Sequence, residues 1–255
     1  NDIYKINGPI DLTFLNKLYS LDGFDKYKYK PFSPQLHPRI AECEDIFEEI
    51  KRGDILFHHP YDSFEPIVDW IRKSAEDENV LAIKQTLYRV SGNSPIIAAL
   101  IKAAENGKMV SVLVELKARF DEGNNIVWAK KLEKAGCHVI YGLLGLKTHS
   151  KITEVVRREE DGIRRYVHLG TGNYNDVTAR FYSDMGILTC QKEIGDDAGA
   201  FFNMLSGFSE PDSWKELVVA PVWLRRRTNE MLLREINNAR EGHEAMIIAK
   251  FNSLV

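Results

Sequence analysis

Between residues 54 and 141 the chain alternates short apolar runs with amphipathic stretches, and this pattern limits the fold more than any other feature. Runs of β-branched and aliphatic residues predict strands at 55–57, 80–90, 109–116 and 137–141. Apolar residues at helical spacing predict helices at 63–75, 95–105 and 124–135. Strands that alternate with helices are typical of an α/β fold with a largely parallel sheet.

The pattern changes after residue 141. Two strand-like runs, at 150–158 and 163–169, flank the sequence Glu159-Glu160-Asp161-Gly162. An Asp-Gly pair between two such runs is typical of a β-hairpin. A further strand at 185–190 and a helix at 196–205 follow. The hairpin makes the predicted sheet a mixed one, with helices beside it.

The two ends of the chain have a different character. Residues 1–53 contain predicted helices at 10–21 and 39–51 and are interpreted as the end of a helical domain or a linker. After Pro211 a strand, a long helix at 224–240 and a second strand at 246–250 repeat the order found from residue 55. This similarity indicates either duplication or chance likeness of two βαβ starts. We therefore expect a fragment with three parts: 1–53, a complete lobe at 54–210, and the start of a second, similar lobe at 211–255.

Composition excludes several classes of protein. The net charge of −3 and the pI of about 6.2 argue against general binding of polyanions, so any anion site must be a local cluster. The three cysteines have no metal-binding spacing, which fits a reduced, cytoplasmic protein. No apolar run in this sequence is long enough to span a bilayer, and we expect no secretory leader. Peripheral membrane association stays open.

The segment Lys147-Thr148-His149-Ser150-Lys151 is the main candidate for chemistry. On a strand, residues two apart share a face, so Lys147 and Lys151 would lie beside the imidazole of His149. A neutral imidazole can attack phosphorus, and fixed cations would neutralise the phosphoryl oxygens. The alternative is a structural histidine, which is the commoner role of a lone His on a strand.

A glycine-rich turn follows the hairpin and could complete a phosphate site. It begins at His168, and Gly170 and Gly172 would let backbone N–H groups approach an anion closely. Asn173 and Asn175 add amide donors. An ordinary loop is the alternative for the turn, and structural burial is the alternative for His168.

Two arginines and a tyrosine are further candidates. Arg89 and Arg119 follow predicted strands, and ligands of open α/β sheets gather at the carboxyl ends of the strands. Guanidinium groups match phosphate geometry, although an arginine at a strand end is often simply solvated. Tyr182 could stack on a nucleotide base or pack in the core.

Five stretches, taken in order, resemble the motifs of the polyphosphate kinase family that acts through a phosphohistidine. They are residues 57–64, 83–89, 115–122, 146–151, and 168–175 with its continuation at 178–184. Together they cover most of residues 54–210. The resemblance implies a phospholipase D-like fold, in which each of two α/β lobes has a mixed sheet flanked by helices.

The resemblance also implies an activity, which is reversible transfer of the terminal phosphate of ATP to polyphosphate with Mg²⁺. His149 falls on the phosphorylated histidine of the family, and Lys151 would assist it. Arg89 and Arg119 fall on residues near the metal and the phosphates, and Tyr182 falls on a nucleotide-contacting residue. ATP, ADP and polyphosphate are the expected partners. We expect no nucleic acid, a homo-oligomeric full-length protein, a cytoplasmic location with membrane association left open, and weak or no activity of this piece alone.

One departure bears on the alternatives. Phospholipase D motifs carry an Asp five residues after the lysine, and this chain has Val156 there. The substitution disfavours a phosphodiesterase, which would need no ATP. A second alternative, a non-catalytic module that binds polyanions, is disfavoured by the acidic pI.

Overall fold

The computed structural model describes residues 3–90, 93–115, 122–142, 145–207, 209 and 211–249. Asn1–Ser33 and Pro34–Val255 form separate compact units. The first unit contains helix α1 (Phe14–Tyr19) and a single 3₁₀ turn (Asp25–Tyr27) among its described residues. Helix α1 is shorter than predicted because the Asp11 carboxylate accepts hydrogen bonds from the backbone N–H and the hydroxyl of Thr13, which places a turn before the helix.

The second unit contains the remaining elements. Its helices are α2 (Pro38–Ala41), α3 (Ile46–Lys51), α4 (Glu65–Glu76), α5 (Pro95–Glu105), α6 (Glu122–Lys134), α7 (Lys192–Leu205) and α8 (Leu224–Arg240). Its strands are β1 (Ile55–His59), β2 (Val80–Leu87), β3 (Met109–Val114), β4 (His138–Ile140), β5 (Ile152–Glu159), β6 (Gly162–Gly170) and β7 (Asp184–Thr189), and a 3₁₀ turn covers Thr178–Arg180.

The strands form one mixed sheet in the order β1-β7-β6-β5-β2-β3-β4. Only the β2–β3 and β3–β4 pairs are parallel among the described strands. The other four neighbouring pairs are antiparallel. The mixed α/β fold is therefore confirmed, whereas the expectation of a largely parallel sheet is wrong. Strands β5, β6 and β7 lie between β1 and β2 in the sheet, and each of them runs antiparallel to both of its neighbours. This is why most strand pairs are antiparallel.

Helices cover the sheet on both faces. Residues of α3 to α6 pack with Phe57, Ile83 and Val112 in one core cluster. Residues of α7 pack with Leu113 and Val167 in another, which the segment 214–219 extends. Val112 and Leu113 are neighbours on β3 and enter different clusters because successive strand side chains point to opposite faces.

Three further predicted elements differ from those observed. The expected helix at 39–51 is divided into α2 and α3, because the Asp45 carboxylate caps a new helix by accepting the backbone N–H of Phe47 at 2.8 Å. Helix α8 forms as predicted, but residues 218–220 and 246–249 are not strands. A strand needs a neighbour for its backbone groups, and these residues pair with no strand in the described part of the chain. The division into lobes stays a prediction.

A buried histidine explains two glycines of the sheet. His168 is buried on β6, and its Nδ1 lies 2.8 Å from the hydroxyl of Tyr174. Gly170 and Gly186 are partners in the β6–β7 register, and the ring of His168 packs directly against both of them. A Cβ at Gly186 would lie 2.8 Å from His168 Nε2, and a Cβ at Gly170 would lie 3.2 Å from Cε1. The ring therefore takes the space of two absent side chains.

Substitution of Gly186 tests this packing. Gly186→Ala should lower the free energy of unfolding by about 1–3 kcal/mol, because the added methyl group overpacks the His168 ring. Gly123→Ala on α6 is the matched control, since a Cβ there meets nothing within 4 Å. The control should change the free energy of unfolding by no more than about 0.5 kcal/mol, because Gly123 is the second residue of α6. Urea unfolding of both variants measures the difference, and equal midpoints would contradict the packing model.

Candidate functional site

His149 and Lys151 lie just before β5, which begins at Ile152, so the prediction that they belong to a strand is wrong. His149 is exposed and Lys151 is buried. The strand starts late because a side chain replaces its backbone partner. The hydroxyl of Thr86 donates to the carbonyl oxygen of Ser150 at 2.8 Å and accepts the backbone N–H of Ile152 at 3.1 Å.

A second side chain holds the loop on the other side of His149. The backbone N–H of Thr148 donates to Oε2 of the buried Glu115 at 2.8 Å. Behind it, Asn125 on α6 donates from Nδ2 to the carbonyl oxygens of Tyr88 and Glu115, at 2.8 and 2.9 Å. The residues on both sides of His149 are thus fixed to the ends of neighbouring strands.

The ring of Tyr88 brings the candidate groups together. His149 packs edge-on against it, with ring centroids 5.2 Å apart. Lys147 Nζ lies 5.0 Å and Lys151 Nζ 5.3 Å from the Tyr88 centroid, and Arg89 Cζ lies 5.6 Å from it. Cations at such distances from an aromatic face are attracted to it. The sequence predicted these four residues as parts of one site but did not indicate Tyr88, whose only signal was its place next to Arg89.

The site lowers the proton affinity of the histidine. Partial burial is the largest cause of the lowered pKa of His149, and the charges of Lys151, Lys147 and Arg89 lower it further. The imidazole is therefore mostly neutral at pH 7, with a lone pair available for nucleophilic attack.

Lys151 is also perturbed. Its pKa is lowered to about 8, with burial as the largest cause; the charge of Asp184 opposes this lowering and the charge of Arg89 adds to it. Its ammonium group donates to the carbonyl oxygen of His149 at 2.5 Å. A lysine with this pKa is still largely protonated at pH 7 and can act as a cation beside the histidine.

The glycine-rich turn lies next to Lys151, because the backbone N–H of Gly170 donates to the Lys151 carbonyl oxygen at 3.0 Å. A Cβ at Gly172 would lie 2.6 Å from Asp184 Oδ2. The other oxygen of that carboxylate accepts the Thr171 hydroxyl at 2.8 Å. The space at Gly172 is therefore filled by a side chain of the protein itself.

The remaining candidates are placed as follows. Asn175 is buried, and its Oδ1 accepts the backbone N–H groups of Val177 and Thr178, so this oxygen caps a turn. Asn173 Oδ1 has no hydrogen-bond partner in the described part of the chain.

Tyr182 is 64% exposed, which excludes core packing. His168 is buried, and burial is the main cause that lowers its pKa to about 3. Arg119 lies outside the described residues.

An apolar cavity of about 710 Å³ opens beside His149. The loop 146–150 forms one wall, α7 contributes Phe201, Met204 and Leu205, and residues 218–223 form the opposite side. Its volume is within the range of small-molecule sites. A nucleophilic imidazole at the edge of such a cavity could reach a bound ligand.

Within the described residues, no group of three or more His, Cys, Asp or Glu side chains could hold a metal ion. The groups around His149 are Lys147, Lys151 and Arg89, which are not ligands for Mg²⁺. These residues do not fit a metal held by the protein. Across the same residues, no helix is both long and apolar enough to cross a bilayer.

The fold and the site define an α/β lobe that gathers cations around a neutral histidine. Residues 45–211 match the family model for polyphosphate kinase C-terminal domain 1. The match covers more than half of the chain, which therefore belongs to the polyphosphate kinase family. The resemblance found in the motifs is thus confirmed.

Individual relatives agree with this assignment. The chain is 56% identical to a polyphosphate kinase of Halalkalibacterium halodurans over 100% of its own length and 36% of that protein. It is 55% identical to one of Lactiplantibacillus plantarum, over 99% of the chain and 35% of the relative. The crystal structure of polyphosphate kinase from Porphyromonas gingivalis superposes with a TM-score of 0.80 at 33% identity, covering 93% of this chain and 40% of that one. The chain spans about a third of the length of these relatives.

The charge around His149 can be tested by titration. Lys151→Met should raise the pKa of His149, because it removes the largest charge repulsion against the imidazolium. NMR titration of the His149 ring protons measures this pKa. In the unchanged chain the midpoint should lie below the ordinary value of 6.5. Lys102→Met on α5 is the control and should leave the midpoint in place, and an unmoved midpoint in Lys151→Met would contradict the model.

Proposed function

We propose that this lobe transfers the terminal phosphate of ATP to polyphosphate, and back, with His149 as the phosphate carrier. The observation that carries the proposal is the contact of His149, Lys147, Lys151 and Arg89 with one ring, that of Tyr88. A neutral nucleophile among fixed cations is what phosphoryl transfer requires. Membership of the polyphosphate kinase family supports this choice of reaction.

The transfer takes two steps. A lone pair on the His149 ring attacks the γ-phosphorus of ATP, a nitrogen–phosphorus bond forms, and the bond to the β,γ-bridging oxygen breaks, so that ADP leaves. A terminal phosphate oxygen of polyphosphate then attacks the phosphohistidine, and the nitrogen–phosphorus bond breaks to restore the neutral ring. Each step conserves the phosphoryl group, and the reverse sequence makes ATP.

The cations act on the charge of the transition state. Negative charge is spread over the equatorial oxygens of the moving group, and fixed positive groups stabilise it. Lys147 and Lys151 supply point charges, and Arg89 can bind two oxygens at once. By their places in the motifs, Arg119 is proposed to contact the phosphates and the exposed Tyr182 the nucleotide.

The glycine-rich turn is proposed to support the phosphate site. Gly170, Gly172 and Asn173 would border it, with the turn positioned by its hydrogen bond to Lys151. His168 and Asn175 would act indirectly, since both are buried and bonded within the protein. Mg²⁺ is proposed to arrive bound to the ATP phosphates, as part of the substrate.

The remaining expectations are retained as proposals. The chain would comprise the end of a helical domain at 1–53, a catalytic lobe at 54–210 and the start of a second lobe at 211–255. The full-length protein would be a cytoplasmic homo-oligomer that acts without nucleic acid, with membrane association left open. This piece alone would have weak or no kinase activity.

Replacing His149 tests the carrier. In the full-length protein, His149→Ala should abolish acid-labile label from γ-³²P-ATP, since no nucleophile remains. His138→Ala, at an exposed position of β4, is the matched control and should label normally. Peptide mapping of the base-stable, acid-labile label measures the result. Label that persists in His149→Ala would refute this role.

Replacing Arg89 tests the geometry of phosphate binding. Arg89→Lys should slow labelling of His149 by about 10-fold or more, because the charge is kept while the bidentate fork is lost. Arg72→Lys on α4, where the guanidinium is half exposed, should have no effect. Rapid-quench measurement of phosphohistidine formation compares them. Equal rates for Arg89→Lys and wild type would show that a point charge suffices.

A further inference from the structure

Glu115 is a buried carboxylate at the edge of the candidate site. It follows the last residue of β3 and is only 3% exposed. Its Oε2 accepts the backbone N–H of Thr148, the residue directly before His149, at 2.8 Å. Burying a carboxylate is costly unless it is bonded, so its presence here indicates a specific task.

The loop that carries His149 has no strand pairing of its own, so other contacts must fix its position. Residues 145–151 lie outside the sheet, although His149 must present a ring nitrogen to a ligand. On the far side of His149, Thr86 binds Ser150 and Ile152. On the near side, the only hydrogen bond found for the Thr148 N–H in the described part of the chain is the one to Glu115.

Asn125 extends this anchor to the ring against which His149 packs. Its Nδ2 donates to the carbonyl oxygens of both Glu115 and Tyr88. Asn125 is itself only 2% exposed. The backbone that carries Glu115 and the backbone that carries Tyr88 are therefore tied to one amide, and the loop and its aromatic support are held in one arrangement.

We propose that Glu115 is a positioning residue for phosphorylation of His149, supported by Asn125. It acts through the Thr148 N–H and does not touch the phosphoryl group. The inference rests on the proposed function of His149. Glu115 should therefore matter when the His149 ring must attack the phosphorus of a bound nucleotide in line. It should matter little when the ring attacks a small phosphoryl donor that diffuses freely and can approach from many directions.

Two donors separate these cases. In the full-length protein, Glu115→Ala should slow formation of phosphohistidine from ATP by about 10- to 100-fold, as misplacement of a nucleophile does. Phosphorylation of His149 by phosphoramidate should keep its wild-type rate. Glu115→Gln retains an acceptor oxygen for the Thr148 N–H and should react with ATP within about threefold of wild type. Glu105→Ala, an exposed carboxylate on α5, is the matched control and should change neither reaction.

Three outcomes with folded variants would overturn the proposal. Unchanged ATP labelling in Glu115→Ala would overturn it, and so would an equal loss with both donors, which would show a general role in folding. Glu115→Gln reacting as slowly as Glu115→Ala would show that charge matters and the hydrogen bond does not. If Glu115→Ala does not fold, Asn125→Ala decides, with the same selective slowing of the ATP reaction expected and equal rates overturning it. Absence of label in the wild type would instead refute the proposed function.

Discussion

The site depends on holding three cationic side chains close to one aromatic ring and one neutral imidazole. Lys147, Lys151 and Arg89 repel one another and any proton on His149, and this repulsion contributes to the lowered pKa values of His149 and Lys151. The face of Tyr88 offsets part of the repulsion. A bound polyphosphate or nucleotide anion would remove much of the rest. The same charges that keep the histidine neutral would therefore also favour the anionic ligands proposed for it.

The mixed sheet makes this gathering possible. Strand β5 runs antiparallel to β2, so the start of β5 lies beside the end of β2. The loop that carries His149 precedes β5, whereas Tyr88 and Arg89 follow β2. In an all-parallel sheet these two segments would lie at opposite edges. The antiparallel pairing thus explains why residues some 60 positions apart can share one ring, and Thr86, on β2, fixes the junction through its hydroxyl.

The sequence predicted local structure well and contacts between distant residues poorly. Apolar periodicity identified α5 at its observed bounds, and the Asp-Gly pair identified the β5–β6 hairpin. Periodicity carries no information on which strands become neighbours, so it favoured a largely parallel sheet. It also placed His149 on a strand, because nothing local shows that the Thr86 hydroxyl replaces a backbone partner. Glu115 was missed for the same reason: its partner, Thr148, lies 33 residues further along the chain.

The glycine-rich turn shows how a motif can have more than one physical cause. Its glycines suggested a cradle of backbone N–H groups for phosphate. In the structure the missing side chains leave room for groups of the protein itself. The ring of His168 occupies the space beside Gly170 and beside Gly186 of β7, and the carboxylate of Asp184 occupies the space beside Gly172. Asp184 in turn opposes the lowering of the pKa of Lys151. A Cβ at Gly172 would displace this carboxylate, and the charge of Lys151 would then be less well maintained. The turn can therefore act on the proposed phosphate site through a lysine, even where its own backbone would make no contact with a ligand.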